Sequence, residues 1–138
     1  MGPLINSAKK EIMLSDHIIH VTMNMINDKK LLISALSHLD KAVKYLMENE
    51  LRNAKKPVPS NRELLKKMFS EVYKGPKYIL DIIEKIHEMM KTQEKEQICY
   101  LKERNLVIIT NDYKTKVISE DEIKMIITQL KEFLRDKK

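Results

Sequence analysis

The sequence predicts a mainly α-helical fold. The expected form is an antiparallel bundle of four to five helices in one domain over residues 1–138, with a small β-hairpin at about 106–118 before the last helix. Three observations predict it. Apolar residues recur at alternating spacings of three and four along most of the chain, as they do in helices with one buried face. Glycine occurs only 2 times and proline 4 times, too few for the many turns of an all-β fold. One compact β-branched run, Leu106-Val107-Ile108-Ile109-Thr110, is followed by the turn residues Asn111-Asp112-Tyr113 and an alternating stretch from Lys114 to Ile118, which together read as a hairpin.

Helix 1 is expected from about Pro3, a favoured first-turn residue, to Ile26. Ile5, Ala8, Ile12, Ser15, Ile19, Thr22 and Ile26 form its seam, and the small Ser15 and Thr22 allow close approach of a neighbour. Met13, Leu14, Val21 and Met23 add apolar groups on much of the remaining circumference. A helix apolar nearly all round is central or faces another subunit, so Met13, Leu14 and Val21 are candidate residues of a dimer interface. The helix is too short and too interrupted by polar groups to span a membrane.

Asn27-Asp28 breaks the chain, and Asp28 is placed to cap helix 2. Helix 2 is expected from about Lys29 to Asn53, with Leu32, Ala35, Leu36, Leu39, Ala42, Val43 and Leu46 buried and Asp40 on the solvated face. The Pro57-Val58-Pro59 segment excludes regular helix. Ser60 with Glu63 reads as a capping box opening helix 3. The apolar stripe then keeps its register from Leu65 across Gly75-Pro76 to Met90, which predicts one long helix kinked at Pro76, with a clean break as the alternative. Thr92 to Gln97 is polar and ends it. Ile98 to Leu101 reads equally as a helical turn or a strand. Ser119 with Glu122 is a second capping box, and the last helix runs to about Arg135 with Ile123, Ile126, Ile127, Leu130, Phe133 and Leu134 buried.

Charge is unevenly placed. Residues 51–77 hold Arg52, Lys55, Lys56, Arg62, Lys66, Lys67, Lys74 and Lys77 against Glu63 and Glu71, an excess equal to the chain's whole net charge of +6. With Tyr73 and Tyr78 nearby, this segment is a candidate surface for RNA or DNA; the plainer reading is a solvated lysine-rich face. The single cysteine, Cys99, excludes an internal disulfide and a multi-cysteine zinc site. With no signal peptide at the start of the sequence, a reducing, cytoplasmic location is expected.

No chemistry-bearing motif is present. There is no Gly-rich phosphate loop, no His-Glu-x-x-His and no Ser/His/Asp arrangement, and no cofactor is expected. Glu84 and His87 fit one Glu-x-x-His, but the Ile82, Ile83 and Ile86 stripe turns both outward, where His87 is expected to be solvated. The one polar cluster is Asp16, His17 and His20, with His38 on the next helix. A local Asp16–His20 pair and a rim His38 are the expected arrangement; a metal or acid–base site would require His20 and His38 to converge. No metal is assigned.

Helices 1 and 2 resemble the start of the HEPN superfamily of small prokaryotic helical bundles, over roughly residues 3–50. The resemblance is carried by Ala8 with Ile12 and by Ala35-Leu36-Ser37-His38-Leu39-Asp40-Lys41-Ala42-Val43-Lys44-Tyr45-Leu46. It implies a four- to five-helix bundle that often dimerises, and RNA cleavage in toxin–antitoxin or defence systems. The family's ribonuclease motif, an arginine and a polar residue followed by a histidine, is absent: Arg52-Asn53, Arg62-Glu63 and Arg104-Asn105 have no histidine at the right distance. The hairpin is also outside the usual family core. The sequence thus favours a non-enzymatic interaction module whose partner is a second copy or another protein, with nucleic-acid binding second and a metal-dependent enzyme third.

Overall fold

The computed structural model describes residues 2–94 and 98–135. Helix α1, Pro3–His17, continues through a π-helical turn, Ile18–Thr22, into a last α turn, Met23–Met25. Helices α2 (Lys29–Asn53), α3 (Arg62–Val72) and α4 (Tyr78–Glu94) follow. Strands β1 (Ile98–Lys102), β2 (Asn105–Ile109) and β3 (Thr115–Ile118) then precede α5 (Glu120–Arg135). The protein is mainly helical, with a small three-stranded antiparallel sheet in the order β1-β2-β3. No helix among the described residues is long and apolar enough to cross a membrane.

Helix α2 is the centre. Its expected stripe is buried in full, together with Met47 and Leu51, and it touches α1, α3, α4 and α5. Asp28 caps it, accepting from the Lys30 backbone N–H at 3.0 Å. It ends on Lys55 in the left-handed region, φ 57°. The Lys55 and Lys56 N–H groups reach back to Arg52 O and Leu51 O, a Schellman ending that Pro57 seals against further helix. Helix α1 packs on α2 and α5 through Ile5, Ala8, Ile12, Ser15 and Ile19. Ser15 is fully buried and donates to Ala35 O at 2.9 Å, so small residues on both helices bring the backbones close, as their sequence implies. Beyond the π turn the buried seam moves by one residue, so Met23 is buried and Ile26 exposed, the reverse of what the sequence implies. Met13, Leu14 and Val21 face outward, which corrects one option for helix 1: it is not the central helix.

The long kinked helix is also corrected. The chain leaves helix at Tyr73, with φ −75° and ψ 128°, and resumes it at Tyr78. Pro76 removes a backbone donor and disfavours helix at Gly75. Tyr73 closes the gap by stacking on Phe69 with centroids 4.8 Å apart and donating from its hydroxyl to Pro76 O at 3.0 Å. A Cβ on Gly75 would stand 2.6 Å from Tyr73 Cζ, so this fold-back requires glycine. The apolar register survives because α3 and α4 each bury their own stripe against α2.

The cap of α3 is Asn61, whose side chain accepts from the Leu64 N–H at 3.0 Å, and not Ser60. Ser119 does cap α5, accepting from the Asp121 and Glu122 N–H groups at 3.1 and 3.4 Å. Helix α4 is described to Glu94; the rest of the expected polar helix end, residues 95–97, lies outside the described residues.

The expected hairpin gains a strand, because Ile98 to Lys102 pairs along all of β2, Ile98 opposite Ile109 and Lys102 opposite Asn105. Leu106, Ile108 and Ile118 point into the common core. The β1–β2 turn is Glu103-Arg104, both residues left-handed at φ 53° and 67°. That is a two-residue hairpin turn made without glycine or asparagine, a conformation costing about 1–2 kcal/mol per residue.

Candidate functional site

The polar groups of α1 sort into two sites. Asp16, His20 and Asn24 follow one another at spacings of four along one side of the helix. His20 Nδ1 lies 2.6 Å from Asp16 Oδ1, and Asn24 Nδ2 donates to His20 O at 2.7 Å. From α5, Lys131 Nζ reaches Asp16 Oδ2 at 2.5 Å. Burial pulls the Asp16 carboxyl up, but Lys131 and then His20 outweigh it and hold the group below its ordinary value. His17 is exposed.

His38 belongs elsewhere, its Nδ1 2.5 Å from Glu11 Oε2. Glu11 and His20 are nine residues apart on the helix, about 13 Å along its axis. The structure therefore joins Asp16 with His20 and His38 with Glu11, and it does not bring His20 and His38 together. Among the described residues, no group of three or more His, Cys, Asp or Glu is gathered so as to hold a metal ion.

The π turn has its own partner. The Met23 N–H reaches back five residues to Ile18 O, and Ile19 O, its partner in a regular α-helix, accepts from Arg104 Nη2 at 2.9 Å. Arg104 Nη1 also donates to Asn24 Oδ1 at 2.5 Å. Its Nε stands 2.5 Å from Glu120 Oε2, an ion contact out of line for a hydrogen bond. Glu120 is one of two buried polar side chains among the described residues, and Lys124 supports it at 3.2 Å. The strained turn of the sheet thus aims one guanidinium at both the α1 stretch and α5. Nothing local in the sequence marks Arg104: its partners are 16 to 85 positions away along the chain.

The basic segment is less free than its composition implies. Arg62 forks onto Asp40 at 2.7 and 3.3 Å, which corrects Asp40 from a solvated position. Lys66 binds Glu84 at 2.7 Å. His87 is not solvated either: its side chain is 13% exposed, with Nε2 2.7 Å from Glu63 Oε1. Lys66 above all, with His87 and Lys91 adding and slight burial opposing, holds Glu63 below its ordinary value. Tyr73 lies between Phe69 and Phe133, where burial first, then the nearby Tyr78 and Glu50, push its hydroxyl up to about 12. Tyr78 also packs on the core. Arg52, Lys55, Lys56, Lys67, Lys74 and Lys77 remain exposed. Lys74 lies beyond the end of α3, so it and Lys67 do not share a helix face.

The apolar candidates separate as well. Leu14 and Val21, 40% and 44% exposed, lie seven residues apart on the outward side of α1 with half-buried Ile18 between them and Met25, 80% exposed, beyond. Met13, 67% exposed, is turned about 100° from Leu14, toward α5. There it lines a shallow groove with Lys9, Ile12, Lys131, Leu134 and Arg135. A second apolar surface, missed in the sequence because β1 was ambiguous, is the outer face of the sheet. It carries Ile98 and Tyr100 beside Ile109 and Val107, with Val117 next to Val107.

Compared with protein-family models, curated proteins and solved structures, the chain matches none.

Proposed function

We propose that the protein is a non-enzymatic interaction module, a helical bundle that pairs with a second copy of itself through the outward side of α1. One observation carries this reading: Leu14, Val21 and Met25 stand exposed on the outward side of α1 and its continuation, with Ile26 exposed at the end. Single exposed apolar side chains are ordinary on a protein surface; several gathered on the outward side of one helix mark a contact surface. A helix face is self-complementary across a two-fold axis, where Leu14 of each copy meets the Val21 side of the other. Met13 stands exposed on the α5 side of the same surface.

Sedimentation velocity across a wide concentration range tests it. A dimer is expected, converted to a monomer of unchanged helicity by Leu14→Glu with Val21→Glu. A monomer at every practical concentration overturns the reading.

A second reading is favoured by the six exposed cations of residues 51–77: an RNA- or DNA-binding protein, which the HEPN-like pattern of α1 and α2 would make an RNA binder without the nuclease motif. Fluorescence anisotropy at two salt concentrations separates it. Binding that falls steeply with salt and is lost in Lys67→Glu with Lys74→Glu supports it. No binding at low salt leaves those lysines as a solvated face.

A further inference from the structure

We infer that Arg104 is a latch that holds the end of α1 in one of two helical phases open to it. The π turn takes in one residue more than an α turn does, so everything beyond it is rotated by about 100°. It also strands an acceptor. The Met23 N–H goes to Ile18 O, and Ile19 O is left to accept from Arg104 Nη2 at 2.9 Å. A carbonyl inside a helix with no donor is costly, so the guanidinium supplies what this phase lacks. Its second contact, Nη1 to Asn24 Oδ1 at 2.5 Å, closes over the same turn.

The sequence favours the other phase. Ile5, Ala8, Ile12, Ser15, Ile19, Thr22 and Ile26 have the spacing of an unbroken α-helix. The π turn overrides it and leaves Ile26 57% exposed, with φ −133° and ψ 115°. Returning the Met23 N–H to Ile19 O carries Ile26 to the buried side, while Met23, four positions after Ile19, still borders the seam. Ile18, Ile19 and Val21 offer an apolar residue to either phase, and Ile26 and Asn27, between the two helices, can absorb the change. Arg104 reaches the turn from the sheet and also contacts Glu120 of α5. The phase of α1 is therefore coupled to the seating of the β1–β2 turn. With Arg104 seated, Ile26 ends the outward apolar side of α1; with Arg104 withdrawn, that side loses it. The inference concerns a single chain and does not rest on self-association.

The test measures scalar couplings across hydrogen bonds in the isotope-labelled full chain, which report the carbonyl that each amide meets. Wild type is compared with Arg104→Ala. The second variant is Arg104→Met with Glu120→Gln, which keeps an apolar stem and leaves no buried carboxylate without its cation. The Met23 N–H of the wild type is expected to couple to the Ile18 carbonyl. In the variants it should couple to the Ile19 carbonyl instead. A soluble gadolinium chelate should relax the side-chain methyl of Ile26 in the wild type. In the variants that methyl should become as protected as that of buried Ile19.

A Met23–Ile18 coupling that persists in the variants, with Ile26 still exposed, overturns the inference and leaves the π turn to local packing. Loss of both couplings, with residues 18–26 at random-coil shifts, also overturns it, because Arg104 is then a tether for the helix end and no second phase exists. A wild type that already couples Met23 to Ile19 overturns it too. So does unfolding of both variants, since a chain with a second phase to adopt does not depend on Arg104 for its fold.

Discussion

Helices α1 and α2 have the same kind of sequence and opposite positions. Both repeat apolar residues at three and four, both carry alanines in the stripe, and α1 has more apolar groups on its remaining circumference. Yet α2 touches every other helix, while α1 buries one side and exposes Met13, Leu14, Val21 and Met25. Periodicity says that a face is buried. It does not say how many neighbours the helix has, because that depends on where the later elements fold back. The outward apolar groups of α1 are surplus to its own fold, and this makes them the first place to look for a partner.

Four outcomes sharpen or break that contrast. Leu39→Ala, at a fully buried position of α2, should cost about 2–5 kcal/mol of stability in urea unfolding. A loss below about 1 kcal/mol would remove α2 from the centre. Arg104→Ala should cost about 1–3 kcal/mol, since it strips the Ile19 carbonyl and the buried Glu120 of a charged partner. Arg104→Lys should not restore it, lacking the planar fork that meets several acceptors at once.

Asp16→Asn should cost under about 1 kcal/mol at neutral pH, as a partly exposed pair does. The sign of its pH dependence follows from the lowered carboxyl. The stabilisation is present above the ordinary value of 3.8 and is lost as pH falls through the lower folded value. Stability curves of the wild type and Asp16→Asn should therefore converge in acid; parallel curves would remove the Lys131 pair from the account. Leu14→Ala should change monomer stability by no more than about 0.5 kcal/mol, in contrast to Leu39→Ala.

Much of the fold was legible because its causes are local. The α2 and α5 stripes, the Asp28 and Ser119 caps and the Pro57 stop each depend on residues a few positions apart. The break at Tyr73 was ambiguous: Gly75-Pro76 permits a kink or a gap, and the deciding contact is Tyr73 folding back onto Pro76 O. The π turn was hidden by its own composition. With Ile18, Ile19 and Val21 adjacent, a one-residue change of phase leaves an apolar residue on every side. Of the polar cluster, only the Asp16–His20 spacing could be read. Glu11, Lys131, Arg104 and Glu120 enter from distant segments, and their pairing depends on tertiary geometry.

The sheet carries a further consequence, for how copies of this chain can join. In the β1–β2 hairpin the two-residue turn makes Lys102–Asn105 and Tyr100–Val107 the hydrogen-bonded pairs, so the Cys99 carbonyl faces away from β2. Lys29 Nζ occupies it at 2.9 Å. One edge of the sheet is thus blocked by a charged side chain, and the outer edge of β3 has no partner strand among the described residues. Strand-by-strand polymerisation needs two open edges on every molecule. With one, pairing by strand edges alone stops at two molecules, β3 against β3.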